Sequence, residues 1–407
     1  MKIKKCRNCK SQNIKKLFSL GRMSFTGKFP TKNKEIPKGE LSLVMCDKCK
    51  LVQLDRNFNK NYLYGMDYGY RTGINKTMTN HVVSVKEQVV KKIKLDPFDQ
   101  VLDIGSNDAT LLKSYTNKKI IKVGMDPLIK KYRKFYSRID YALPNFFSKE
   151  KMPKKLKDKK FKIITALSMF YDLENPNKFL GDIKKILHKD GILLIEQADL
   201  YLMIKNNVFD AICHEHLEYY STNVIKRMLK QNGLKLFDHK FNNVNGGSSQ
   251  YFVCHINSNF KVNKKNINKA LKNEKKVGLE KLNTYKEYYY KIIRIKNRLK
   301  DIISKIVKEG KTIHGYGAST KGNVLLQLMN ITNNDINFIA ERNPNKYNKY
   351  TPGSKIKIIS EAKSRKMKPD YYLVLPWHFK NEILSREKKM ITLGCKFIFP
   401  LPVINIK

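Results

Sequence analysis

Two rhythms of apolar residues alternate along this chain. In "DQVLDIGSNDATLLKSY" (99–115) a continuous apolar run ends at a glycine turn and passes into a helix start, and "IIKVGMDP" (120–127) is a second run that ends in an acid. "FKIITALSMFYDLENP" (161–176) predicts another strand and its loop, and "NKFLGDIKKILHKDGILLIEQADL" predicts a helix, a glycine stop and a strand. Before them, "HVVSVKEQVVKKIK" carries apolar residues at helical spacing. Strands alternating with helices indicate a parallel, doubly wound sheet. From about Asn257 to Lys311 the pattern is helical and strongly charged with no turn cluster, which predicts one or two long helices bridging domains. "KTIHGYGASTKGNVLLQLM" then opens a second strand, glycine turn and helix, and "INFIAERNP", "DYYLVLPW" and "KFIFPLP" supply further strands.

At 407 residues the chain calls for two or three domains. The apolar run closest to a membrane span, "GILLIEQADLYLMI", is broken by Glu196 and Asp199, and the N-terminus "MKIKKCRNCK" has charge but no apolar stretch of a secretory signal. A cytoplasmic location without membrane association is therefore expected. The net charge of +47 suggests nucleic acid or an anionic surface, but lysine is scattered over nearly every segment alongside Ile and Asn. The densest stretch, "KEKMPKKLKDKKFK" (149–162), reads as a solvated face, and the charge is not interleaved with aromatics. Nucleic acid is not the expected partner. Oligomeric state cannot be read from the pattern.

Seven cysteines argue against a disulfide framework. "CRNC" (6–9) and "CDKC" (46–49) are two CxxC knuckles, so Cys6, Cys9, Cys46 and Cys49 are expected to hold one structural zinc in a small β-rich lobe. The turn "GSNDA" after the first central strand is a single-glycine turn, not GxGxxG. Asp126 at the end of the next strand can accept both ribose hydroxyls of an adenosine. The acids Asp103 and Asp108 would repel a pyrophosphate and suit a sulfonium, which favours S-adenosylmethionine over NAD.

"NNVFDAICHEHLEYYST" (206–222) packs two histidines, three carboxylates and a thiol into 17 positions. The zinc-protease signature needs H-E-x-x-H, and position 218 is Glu, so it fails. A metal set of Cys213, His214 and His216 is disfavoured by the divergent directions of adjacent residues. A base and a structurally satisfied histidine pair remain open. "GYGASTKGN" places Lys321 at a helix start, suited to a diphosphate.

With CxxC…CxxC followed by "LVQL", and with "VLDIGSND", "ICHEHLEYYS", "NGGSSQYFV", "GYGASTKGNVLLQ" and "VLPWHF", the chain resembles the sugar C-methyltransferase family over nearly its full length. The resemblance implies an α/β protein with three parts: a zinc-binding lobe (1–60), a class I S-adenosylmethionine-dependent methyltransferase domain (61–256), and, after a helical connector (257–310), a smaller Rossmann-like substrate-binding domain (311–407). It also implies a nucleotide-linked keto-deoxysugar as substrate and a role in polysaccharide or deoxysugar synthesis. The cofactor loop maps onto Asp103, Gly105, Ser106, Asn107 and Asp108, with Asp126 on the ribose. His216 becomes the base with Glu215 beside it, and the active-site tyrosine is Tyr68 or Tyr70. Substrate contacts are expected from Tyr219, Asn245, Ser248 and Lys321. Two departures stand out: Ala109 replaces a usual glycine, and Met169 stands where several members carry a second active-site histidine. The rival readings are an RNA methyltransferase or RNA-binding module, against which no N-P-P-[YF] loop appears at "SMFYDLENP", and O- or N-methylation of a sugar.

Overall fold

The computed structural model describes residues 1–32, 34–65 and 68–407; Met66 and Asp67, inside the tyrosine-rich loop, lie outside the described residues. The first lobe is a β1 (Ile14–Ser24)–β2 (Lys38–Cys46) hairpin extended by β3 (Val52–Leu54). Its second knuckle sits between β2 and β3, so sheet pairing and the two CxxC turns bring the four thiols together.

The central sheet begins with β4 (Gln100–Ile104), β5 (Ile121–Met125), β6 (Tyr141–Leu143), β7 (Phe161–Leu167) and β8 (Leu187–Ala198), all parallel. Every residue of β4 is buried, as expected for a strand covered on both faces. β9 (Glu218–Tyr219) leaves this domain and pairs with β3, so the segment after HEH completes the zinc lobe's sheet. It covers an edge that would otherwise present unpaired backbone. β10 (Leu234–Asn242) and β11 (Ser248–His255) return to the central sheet as antiparallel strands, giving the order β10-β11-β8-β7-β4-β5-β6. The helix Pro176–Ile186 that enters β8 starts with Asn175 capping Lys178 N–H and proline in its first turn.

The expected connector is two helices, Lys264–Val277 and Leu282–Lys308, separated at Gly278, which takes the left-handed conformation (φ 76°) of a helix C-terminus. The longer helix buries Tyr285, Tyr288, Ile292, Leu299, Ile303 and Ile306 along one face, and Phe18 of β1 packs on Tyr288 and Tyr289. The last domain is a sheet of β12 (Ile313–Tyr316), β13 (Phe338–Glu341), β14 (Lys357–Ser360), β15 (Tyr371–Val374), β16 (Lys396–Phe399) and antiparallel β17 (Asn405–Ile406). Its order β14-β13-β12-β15-β16-β17 is the Rossmann arrangement, with the switch point between β12 and β15. No helix among the described residues is long and apolar enough to cross a membrane.

Candidate active site

The four Sγ atoms of Cys6, Cys9, Cys46 and Cys49 lie within 4.8 Å of one another, with Cys6–Cys49 at 3.6 Å and Cys9–Cys46 at 3.4 Å. Four thiolates about 2.3 Å from a tetrahedral zinc would sit about 3.8 Å apart, so the quartet fits that ion. Each knuckle closes on a left-handed lysine, Lys10 (φ 62°) and Lys50 (φ 59°), whose N–H donates to Cys6 O and Cys46 O. Gln53 Nε2 donates to Cys6 Sγ at 3.3 Å. All four positions are cysteine, which leaves no open coordination position for catalysis.

At the C-terminal ends of β4 and β5 the backbone turns sharply, with Gly105 (φ 74°), Asn107 (φ 50°) and Ala109 (φ 59°) left-handed. Ala109 thus occupies a conformation that glycine adopts without strain, which gives its departure from the family pattern a physical meaning. The turn borders a cavity of about 240 Å³. Asp103, Gly105, Ser106, Asn107 and Asp126 line it, as do Tyr68, Tyr70 and Met169. Asp103 accepts from Thr165 Oγ1 at 2.6 Å, and burial pushes it up to about 7. Asp126 accepts the N–H groups of Asn107 (2.9 Å) and Leu128 (2.6 Å), and burial raises it as well.

Asp103, Asp126 and Glu196, all on this wall, have no Lys or Arg ion pair among the described residues. In a chain with 82 Lys and Arg against 35 Asp and Glu, a cavity wall whose three carboxylates have no Lys or Arg partner, with Glu196 meeting only His81, favours a cationic ligand over a phosphate-bearing one. A sulfonium carrying an amino-acid tail meets that requirement.

Asp108 departs from expectation. It is not on the cavity wall; its Oδ2 accepts Gly73 N–H at 3.0 Å and its Oδ1 accepts Thr110 Oγ1 at 2.5 Å. Asn107 Oδ1 likewise accepts Thr72 N–H at 2.9 Å, while Tyr132 OH donates to Tyr70 O at 2.8 Å. The left-handed turn rotates the Asp108 side chain outward, and with Asn107 it straps the 70–73 loop beside the cavity.

Within HEH the three side chains take different surroundings. His214 is buried between Phe25 and Phe58, with Nε2 3.2 Å from Gly39 O, and burial pushes it down to about 4, which marks it as a packing residue. Glu215 is buried; its Oε2 accepts from Thr26 Oγ1 at 3.1 Å, its Oε1 has no partner, and burial raises it. His216 is half-buried, its ring 4.0 Å from that of Tyr171 and its Nδ1 2.8 Å from Ala211 O. A carbonyl can only accept, so Nδ1 carries the proton and Nε2 presents a lone pair. Burial, and then the charge of Lys321, push His216 down to about 3.

Gly27, from the zinc lobe, touches both Glu215 and Tyr68: a Cβ there would lie 2.3 Å from Glu215 Oε1 and 3.4 Å from the Tyr68 ring. Tyr68 therefore joins the cofactor cavity to Glu215. Tyr70 also lines the cavity, but its ring is 43% exposed. Asp172, on the same wall, has Oδ1 buried without a partner, and burial raises it far above the ordinary carboxylate range.

Lys321, one residue inside the helix Thr320–Leu328, donates to Asn245 O at 2.6 Å and so ties the last domain to the β10–β11 hairpin. Beside it, Asp210 accepts from Trp377 Nε1 at 2.8 Å while its Oδ1 is buried unpaired, as is Nδ1 of His378. Buried polar atoms are paired in the great majority of cases, so the unpartnered atoms of Asp172, Glu215, Asp210 and His378 mark these residues as candidates for contact with a polar ligand. Two expected substrate residues lie elsewhere. Tyr219 sits 4% exposed in the core under the zinc lobe, because β9 turns that side chain toward the long helix. Ser248 donates to Val244 O at 3.0 Å and closes its own hairpin. Sequence reasoning left Asp172, Gly27, Thr26, Asp210 and Trp377 without a role; only the short runs "FYDL" and "VFDA" could have drawn attention to the carboxylates.

Three family models cover almost the whole chain: a zinc binding domain at residues 6–64, a methyltransferase domain at 65–239 and a C-methyltransferase C-terminal domain at 243–402. The curated C-methyltransferase NovU of Streptomyces niveus is 28% identical over 364 residues, which span 89% of this chain and 86% of that protein. Among solved structures, magnesium protoporphyrin IX methyltransferase of Synechocystis PCC 6803, with bound SAH, matches at 14% identity and a TM-score of 0.34, over 48% of this chain and 92% of that one. An S-adenosylmethionine-dependent methyltransferase of Clostridium acetobutylicum matches at 13% identity and a TM-score of 0.34, over 43% of this chain and 90% of that one.

Proposed function

The chain belongs to the S-adenosylmethionine-dependent C-methyltransferases that join these three domains, and from that premise we propose that it methylates a carbon next to the carbonyl of a nucleotide-linked keto-deoxysugar. The observation that carries the reading is that neighbouring residues offer a free imidazole lone pair on His216 and an unpartnered oxygen on Glu215, the latter near a tyrosine that also borders the acidic cavity.

Carbon is a nucleophile only as a carbanion equivalent. His216 Nε2 takes the proton next to the carbonyl; the electron pair of that C–H bond forms the carbon–carbon double bond of the enolate as the carbonyl π pair moves onto oxygen. Tyr68 OH and the protonated Glu215 carboxyl, which burial favours, donate hydrogen bonds to that oxygen. S-adenosylmethionine bound in the acidic cavity would supply an electrophilic methyl group, with a neutral thioether as its leaving group. Tyr68 and Met169 both line the acidic cavity, which supports a methyl transfer path on their side of it.

Lys321 and the glycine turn before it hold the substrate's diphosphate. Binding of that anion lessens the positive charge that depresses His216, so the base strengthens when substrate arrives. The product of this activity is a branched deoxysugar nucleotide, the activated donor used in polysaccharide or deoxysugar-glycoside assembly, a chemistry supplied by soluble enzymes of the cytoplasm.

Transfer from cofactor labelled with ¹³C in the methyl group, followed by NMR of the product, tests the reading. A methyl carbon coupled to a quaternary or methine sugar carbon is expected. A methoxy or N-methyl resonance, or transfer to RNA in place of the sugar nucleotide, would overturn it.

A further inference from the structure

Glu196 lies at the C-terminal end of β8, on the wall of the acidic cavity and 3% exposed. Its Oε1 is 2.5 Å from Nε2 of His81, which projects from the helix Lys76–Val90. Its Oε2 accepts from Gln250 Nε2 at 2.7 Å and Asn242 Nδ2 at 3.2 Å. Three donors fill three of the roughly four lone-pair positions of a carboxylate. Among the described residues no Lys or Arg pairs with it. A carboxylate buried with only a histidine as ionic partner is costly, unless a ligand brings the missing positive charge.

Its position says which charge. Glu196 O accepts Ser168 N–H at 2.7 Å, and the adjacent Met169 packs over Gly105, so Glu196 stands at the β7–β8 side of the cofactor turn. Asp126 stands at the end of β5, three strands away in the order β8-β7-β4-β5. Three strand spacings are about 14 Å, a span that the ribose and an extended methionine tail, with a hydrogen bond at each end, together fill. With the ribose on Asp126, the tail runs toward Glu196.

We propose that Glu196 receives the α-ammonium group of the cofactor's methionine tail, and that His81 is a positioning residue that fixes the carboxylate for it. The proposal rests on the placement of S-adenosylmethionine in this cavity. His81, donating through Nε2–H, together with Gln250 and Asn242 turns the remaining lone pair of Glu196 into the cavity, where an ammonium completes the set.

Calorimetric titration of the full-length protein with three ligands tests it: S-adenosylhomocysteine, its decarboxylated analogue, which keeps the amine, and 5′-methylthioadenosine, which has no tail. In Glu196→Gln, an isosteric change, the two amine-bearing ligands are expected to bind at least tenfold more weakly, with 5′-methylthioadenosine within twofold of wild type. His81→Gln, which keeps one N–H donor, is expected to retain more affinity for S-adenosylhomocysteine than His81→Ala. Equal losses for all three ligands in Glu196→Gln would make the residue a wall element only and overturn the proposal, as would unchanged binding of the amine-bearing pair. Asp126→Ala separates this from the underlying placement: it is expected to weaken all three ligands. Wild-type binding of all three in Asp126→Ala would put the cofactor elsewhere and overturn both.

Discussion

Gly27→Ala is a small change with a calculable consequence. The Cβ it adds would lie 2.3 Å from Glu215 Oε1, with the Tyr68 ring 3.4 Å away closing the other side. Carbon–oxygen contacts close in at about 3.3 Å, so roughly 1 Å must be found, and the group free to give is the Glu215 carboxyl. Glu215 is buried, and its other oxygen is tied to Thr26, so it moves off its present aim and does not swing to solvent. A catalytic group misplaced by about 1 Å costs on the order of 100-fold in rate, which is about 2.7 kcal/mol of barrier. Overpacking of this kind costs about 1–3 kcal/mol of stability, small enough for a folded product. The assay is kcat/KM for methyl transfer beside the S-adenosylhomocysteine Kd, on protein whose circular-dichroism melt matches wild type within a few degrees. A roughly 100-fold fall in kcat/KM with an unchanged Kd is expected. A folded variant within threefold of wild-type kcat/KM, or a loss of cofactor binding equal to the loss of rate, would refute the placement of Glu215 at the reacting carbonyl.

Other perturbations separate the remaining parts. Asp103 is held up at about 7 by burial, and a cationic ligand binds its ionised form. Cofactor affinity should therefore tighten as pH rises through about 7, with proton release on binding near neutrality; calorimetry in buffers of different ionisation enthalpy reads this, and Asp103→Asn should abolish it. Lys321→Met removes a positive charge that depresses His216, so the acid limb of kcat/KM should move to higher pH while KM for the sugar nucleotide rises; an unchanged limb would separate Lys321 from the base. Cys46→Ser should lower bound zinc, measured by elemental analysis, and loosen the β1–β2–β3 lobe to proteolysis, since metal binding and folding of such a small lobe are one equilibrium.

The zinc quartet was legible because two fixed spacings carry it, and β4, its glycine turn and Asp126 because a buried strand followed by a turn and an acid is a local pattern. The helical connector follows from a strongly charged helical pattern without a turn cluster, and the structure adds the break at Gly278. What local pattern could not supply is direction. Asp108 sits in the predicted turn but points away, because the left-handed residues Asn107 and Ala109 on either side rotate it toward Gly73. The sequence pattern puts Tyr219 in a sugar pocket, but β9 pairs with β3, which fixes by alternation the face it shows. Residues that meet across long separations were illegible: His81 and Glu196 are 115 positions apart, and Gly27 reaches Glu215 only because the zinc lobe packs on the central domain. The tyrosine-rich loop offered Tyr68 and Tyr70 equally; both line the cavity, and Tyr68 lies near Gly27 together with Glu215.

The central claim is that His216 removes the proton next to a keto-sugar carbonyl. Incubating the nucleotide-linked keto-deoxysugar with enzyme and S-adenosylhomocysteine in D₂O, and following that proton by NMR, tests it without methyl transfer. Exchange by the wild type, and its loss in a folded His216→Ala that still binds S-adenosylhomocysteine, is the predicted result. Exchange at the wild-type rate in His216→Ala would contradict it.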